Sequence, residues 1–258
     1  AGNKYPLILF LHGAGERGTD GKRQMTLGLG PVVKQQAHTF PAIVVFPQCE
    51  DLQGRYLTGW LADGRDAKRA LKILEEVEQN YSTDPQRRIL TGWSMGGYGT
   101  WSIANQDPSR WSAILPLAGG GETEWSEQLK DAPIWAFHGE ADGAIRPQQS
   151  RRMVAALTAA SGKPRYTEIP GAEHDITGIV YSNENVVKWM LDPEAAVPTT
   201  LSLDADSGIA VETPFVPAMH LKGAATVRLG NKMLDAMAMS VPELLPEDML
   251  AGAIDDIS

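Results

Sequence analysis

The 258-residue sequence has a single cysteine, Cys49. An internal disulfide and a thiolate metal cluster are therefore excluded, although secretion is not. Nowhere does it hold the roughly 18 consecutive apolar residues of a membrane-spanning helix, so no membrane span is expected. It also lacks a basic surplus: 23 Lys+Arg stand against 32 Asp+Glu, a formal net charge of −9. The imbalance is local, because residues 192–258 hold 3 Lys+Arg against 11 Asp+Glu while residues 1–191 are nearly balanced. Neither part offers a basic face for a phosphate backbone, which argues against a nucleic-acid partner. The start, Ala1-Gly2-Asn3-Lys4-Tyr5-Pro6, has neither signal-peptide nor transit-peptide character. It runs into an apolar stretch at once, so a trimmed or mature form, including one secreted with its signal removed, stays open. The compartment is not assigned.

What is present is the composition of a soluble globular protein, 43% hydrophobic and 21% charged. Residues 7–11 and 42–46 are continuous apolar runs, the pattern of strands buried on both faces. Further strands are expected at 88–91, 113–117, 133–137 and 165–169. Helices are expected at 24–36, interrupted by Gly28, Gly30 and Pro31, and at 63–81, 98–106, 147–160 and 183–191. This alternation implies βαβ units and a mostly parallel central sheet flanked by helices.

Residues 192–258 break the pattern. Pro193, Pro198, Pro214, Pro217, Pro242 and Pro246 punctuate the segment, which has no Trp or Tyr. Short strands are expected at 199–203 and 225–229, and short helices at 231–239 and 247–254. Asp204-Ala205-Asp206-Ser207-Gly208 hints at a calcium loop, but its glycine comes one place early and the later glutamate is misplaced. No metal and no other cofactor is therefore expected. The division reads as a main domain, 1–191, and an acidic C-terminal extension, 192–258.

The chemistry centres on Thr91-Gly92-Trp93-Ser94-Met95-Gly96-Gly97-Tyr98. An apolar run, a Gly-x-Ser-x-Gly turn and a helix follow one another, the context of a nucleophile elbow. A glycine-rich loop with a solvated serine is the plainer reading of the same residues. A serine hydroxyl needs a base oriented by an acid, and on a parallel sheet these fall in loops after strand ends, in the order serine, acid, histidine. Asp142 follows the strand ending at Phe137, and His174 follows the next. Glu140, Asp131, Glu173 and Asp175 are fallback acids. His12 and His138 precede glycines at strand ends, where a ring more often braces a loop than shuttles protons. His38 and His220 have no such place, and Cys49 is expected to be inert. The oxyanion hole is expected from the backbone N–H groups of Met95 and Ala14, with Gly15 in reserve.

Tyr5-Pro6-Leu7-Ile8-Leu9-Phe10-Leu11-His12-Gly13-Ala14-Gly15-Glu16-Arg17-Gly18 resembles the α/β-hydrolase esterases of the phospholipase/carboxylesterase and predicted-peptidase group, which includes feruloyl-esterase-like members. So do Pro47-Gln48-Cys49 with Trp60, the elbow, His138-Gly139 with Asp142, and Gly171 to His174. The resemblance spans residues 4 to about 191. It implies an α/β-hydrolase fold, a Ser94–His174–Asp142 triad and a small-molecule ester substrate. Trp60 falls either on the cleft wall or in the core, and Gly15 beside the substrate. Members usually carry one or two antiparallel strands before the Tyr-Pro-Leu-Ile strand, and the acidic extension has no counterpart among them. A homo-oligomer through a sheet edge or the extension is thus open, as is the extension covering a bare edge. With no lid insertion between the elbow helix and Asp142, short acyl or aryl esters are expected. A serine peptidase using Glu16 to bind an amine, and a catalytically silent binding protein, are the alternatives.

Overall fold

The computed structural model describes residues 4–52, 57–195, 197, 200–201 and 210–212. In chain order the elements are β1 Tyr5–Leu11, α1 Leu29–Gln35, β2 Ile43–Val45, α2 Arg65–Asn80, β3 Thr83–Trp93, α3 Met95–Gln106, β4 Ala113–Leu117, α4 Ser126–Leu129, β5 Trp135–Gly139, α5 Gln148–Ala159, β6 Arg165–Ile169, α6 Thr177–Tyr181, α7 Glu184–Leu191, β7 Thr200–Leu201 and β8 Ala210–Glu212. The sheet order is β2-β1-β3-β4-β5-β6-β8-β7. The first six strands pair in parallel, and β8 and β7 are antiparallel additions.

The continuous apolar character of β1 has a direct cause. Successive side chains of a strand point to opposite faces, and both faces here are covered. Leu7, Leu9 and Leu11 pack with Ala67, Ala70 and Leu74 of α2, Trp101 of α3 and Val154 of α5. Ile8 and Phe10 pack on the other face with Leu29 and Val32 of α1, Tyr181 of α6 and Trp189 of α7. Burying such a side chain stabilises by about 1.5–3 kcal/mol, so β1 anchors both layers.

Three departures from the sequence reading have local reasons. The helix expected at 24–36 is a 3₁₀ turn, Arg23–Met25, followed by α1. The break is Gly28, at φ 67°, where a Cβ would meet the Phe10 ring at 2.1 Å. β3 begins five residues before the expected 88, with a register shift against β1 between Tyr5 and Leu7; its polar start carries no apolar signal. β8, outside the expected elements, pairs antiparallel with β6 through Thr167↔Glu212 and Glu168↔Val211. Chain beyond residue 191 thus extends the sheet at β6, while β2 lies at the opposite end of the strand order. The stretches 204–208, 225–229, 231–239 and 247–254 lie outside the described residues.

The glycines of α3 fix how closely that helix approaches the sheet. A Cβ on Gly96 would lie 1.9 Å from the Leu11 carbonyl oxygen, and one on Gly97 2.4 Å from that of Leu117. Gly178, in α6, has nothing within 4 Å of a Cβ. Gly96→Ala is expected to cost more than about 3 kcal/mol in urea denaturation, because backbone must move. Gly178→Ala is expected to stabilise by about 0.5–1 kcal/mol through helix propensity. Equal midpoints for the two variants would refute the assignment of the close contact.

Candidate active site

β3 ends at Trp93, and Ser94 then turns the chain into α3. Ser94 has φ 58° and ψ −120°, a conformation costing a non-glycine residue about 1–3 kcal/mol. The surroundings enforce it: the Ser94 amide donates to the Leu117 carbonyl at 3.0 Å, and the Tyr98 amide donates to the Ser94 carbonyl at 3.1 Å. Glycines at 92 and 96 are required because each packs against the Leu11 carbonyl and Gly92 against that of Gly96. The same contact brings the loop after β1 beside the start of α3.

The loops after β5 and β6 deliver the partners. His174 Nε2 lies 2.9 Å from Ser94 Oγ, and His174 Nδ1 lies 2.7 Å from Asp142 Oδ2. A carboxylate only accepts, so Nδ1–H donates to Asp142 and Nε2 is left to accept from the serine hydroxyl. Asp142 Oδ1 accepts from the amides of Ala144 at 2.9 Å and Ile145 at 2.8 Å. Burial alone would raise the Asp142 carboxyl, but hydrogen bonds from His138 and His174 hold it well below the usual carboxylate range. Trp93 supports the base: its indole Nε1 donates to the His174 carbonyl at 2.9 Å, and the rings lie 5.1 Å apart. Ser94 and His174 are 7% and 6% exposed, and the Asp142 side chain is fully buried behind them.

The loop after β1 is held from behind. His12 Nε2 accepts from the Cys49 amide at 2.9 Å, so its proton sits on Nδ1, which donates to the Gly13 carbonyl at 2.6 Å. Burial pushes the His12 ring down to about 4, so it stays neutral. This histidine braces the loop, as its place before glycine implied. Trp60 is fully buried, with its Nε1 donating to the His12 carbonyl at 3.0 Å. It belongs to the core, not to a cleft wall, because the closest approach of α3 at Gly99 runs against its Cβ. Arg17 Nε donates to the Ala14 carbonyl at 3.0 Å. Ala14 is half-buried at the start of a 3₁₀ turn, and Gly15 is exposed beside it. Met95 opens α3, so its N–H is among the amides that an α-helix leaves without an intrahelical partner. Cys49 is buried against Asp66 Oδ2 at 3.4 Å, and burial pushes its thiol up to about 12.

Leu57 and Ile145, neighbours of the site, have no role in the sequence reading. Leu57, Tyr98 and Ile145 form a small apolar cluster separate from the two main cores. Tyr98 stands one helical turn past Ser94, and the Ile145 amide binds Asp142, so the cluster joins the elbow to the acid loop. The spacing Ser94–Tyr98 was the available signal. Glu16 lies in the loop after β1, 6% exposed, with Oε2 lacking a hydrogen-bond partner. Burial pushes its carboxyl up to about 7, against the backbone amides of Glu16 and Gly13. Among the described residues, no group of three or more His, Cys, Asp and Glu side chains could hold a metal ion. No helix there is long and apolar enough to cross a membrane.

Comparison with known proteins agrees with this architecture. The prolyl oligopeptidase family model matches residues 62–135. A solved thermostable esterase is 34% identical with a TM-score of 0.64, over 72% of this chain and 54% of that one. A bifunctional acetylxylan esterase/xylanase from Neocallimastix patriciarum is 28% identical over 108 residues, which are 42% of this chain and 16% of that protein. A feruloyl esterase module from Clostridium thermocellum, solved with sinapinate, has a TM-score of 0.56 at 17% identity, over 76% of this chain and 81% of that one. The chain thus spans about half of the thermostable esterase and less than a quarter of the first two curated relatives. It has the α/β-hydrolase fold and resembles esterases.

Glu16 gives a prediction independent of turnover. Its folded-state value, about 7, lies above the ordinary 4.5, so the native state favours the protonated form. The associated stability is present at acid pH and is lost as pH rises towards and through 7, by up to about 3 kcal/mol. Glu16→Gln should match the parent near pH 4 and exceed it in urea midpoint at pH 8. A gain that is the same at both pH values would place the ionisation elsewhere.

Proposed function

We propose that the chain is a serine carboxylic ester hydrolase acting on short-chain acyl or aryl esters through an acyl-enzyme intermediate. One observation carries the reading: Ser94 Oγ, His174 Nε2, His174 Nδ1 and Asp142 Oδ2 form a continuous hydrogen-bonded line, at 2.9 and 2.7 Å, that starts from a strained elbow. Ser94 attacks the ester carbonyl carbon while His174 takes its proton, and Asp142 stabilises the imidazolium. The amides of Met95 and Ala14 receive the developing oxyanion. His174 then protonates the leaving alcohol, and water, activated by His174 in turn, hydrolyses the acyl-enzyme.

The substrate class follows from size and surroundings. Between α3 and β5 the chain holds only β4, α4 and short turns, so among the described residues no lid is inserted there. Leu57, Tyr98 and Ile145 form a small, nearly buried apolar cluster that joins the elbow to the acid loop, which supports a short acyl chain or an aryl ring over a long chain. The thermostable esterase and the acetylxylan esterase/xylanase support ester chemistry. The match to the prolyl oligopeptidase family favours a peptidase as the second reading. Glu16, its candidate amine anchor, is buried and takes up a proton near neutral pH instead of presenting a fixed surface charge.

Hydrolysis of p-nitrophenyl acetate, butyrate and octanoate is expected to fall with chain length. Ser94→Ala should lower kcat/KM by at least about a thousandfold with the circular dichroism spectrum unchanged. Asp142→Asn should lower kcat by about 10³–10⁴ through the histidine tautomer. Cleavage of aminoacyl anilides faster than of any ester would favour the peptidase. Equal ester turnover by parent and Ser94→Ala would overturn the assignment of the nucleophile.

A further inference from the structure

A second histidine touches the acid. His138, at the C-terminal end of β5, is fully buried, and its Nε2 lies 3.1 Å from Asp142 Oδ2, the oxygen that also binds His174. The same Nε2 lies 2.8 Å from the Ile145 carbonyl oxygen. Both neighbours are acceptors at this contact, so Nε2 carries a proton. On the other side of the ring, Nδ1 lies 2.7 Å from Ser150 Oγ, and Ser150 Oγ lies 2.9 Å from the Gly119 carbonyl oxygen. A hydroxyl has one proton, and a carbonyl can only accept. The Ser150 proton therefore goes to Gly119, and Nδ1 must supply its own. A neutral ring would leave either Nε2 bare between two acceptors or two oxygens at 2.9 Å with no hydrogen between them.

From this proton inventory we infer that His138 is a buried imidazolium paired with Asp142, a positioning residue that sets the basicity of His174. This rests on the role given to His174 above. The charge on Asp142 Oδ2 is then shared between a permanent cation and the base, so His174 gains less from its own protonation. Four elements and their loops surround His138. From the loops after β5 and β6 the facing groups are Asp142 and, beyond it, His174. From α5 it is the neutral Ser150. On β6, in register with His138, is Glu168, which is committed to Arg151 and to the Tyr166 hydroxyl. On the other side of β5, the end of β4 pairs Leu117 with Phe137, and the Ala118 amide donates to the Phe137 carbonyl; neither carries a charge. A second cation on the triad's acid is a different electrostatic arrangement from a carboxylate serving one histidine.

Nuclear magnetic resonance of ¹⁵N-histidine-labelled protein tests it without turnover. Both ring nitrogens of His138 should carry protons at pH 8. A single bare nitrogen at pH 8 would overturn the inference. In His138→Gln, the midpoint at which His174 takes up its proton should move up, the sign expected when a like charge is removed. The acid limb of kcat/KM should move with it while KM stays within about twofold. Ser150→Ala, which removes the acceptor for Nδ1–H, should shift the midpoint in the same direction by less. A midpoint that stays put or falls in both variants refutes the tuning role. Loss of all ester turnover in the parent refutes the proposed function but leaves the two resonance readouts decisive for His138.

Discussion

The contact on which the rest depends is between backbones: the first turn of α3 rests against the carbonyl oxygens of Leu11 and Leu117, with only glycine hydrogens between. It couples the ends of β1 and β4 to the helix that begins at Ser94. It also explains why Ser94 keeps a conformation that an isolated chain would leave. The two apolar layers around β1 supply the stability against which that local strain is held. Fold and site are thus not separable here, because the strands position the loops and the close approach of α3 aligns the nucleophile with them.

The electrostatics of the site follow a similar division of labour. Asp142 is fixed by two amides on one oxygen and two imidazoles on the other. His12 is kept neutral by burial and acts purely as a brace between Gly13 and Cys49. The same residue type in the same sequence setting, a strand-end histidine before glycine, therefore plays two parts. The difference lies in the neighbours. His12 meets one donor and one acceptor, whereas His138 meets only acceptors on one side and a committed hydroxyl on the other.

Much of the fold was legible because buried parallel strands are apolar on both faces: β1, β2, β4 and β5 announce themselves as runs. The parts that were not legible carry polar or glycine-rich sequence. The beginning of β3 and the break before α1 are set by packing partners, Tyr5 and Phe10, that lie far away in the chain. Within the site, Ser94, Asp142 and His174 could be ordered by the rule of strand ends, and the structure brings them together. Trp60 could not be assigned, since a tryptophan in a core and one on a cleft wall have the same local sequence. The sequence setting of His138 implies a brace; its four-residue spacing to Asp142 is visible there, but its hydrogen bonds to Ser150 of α5 and to the Ile145 carbonyl after β5 are not.

Trp93 has a further meaning. It is the chain neighbour of Ser94, and its indole holds the carbonyl of His174. The span from nucleophile to base is therefore gauged by one flat, rigid ring system, not by two independent loops. The loop carrying His174 is thus tethered, through its backbone carbonyl and a ring contact, to the residue next to the serine. Alignment then survives motions that would disperse it if each group answered only to its own loop.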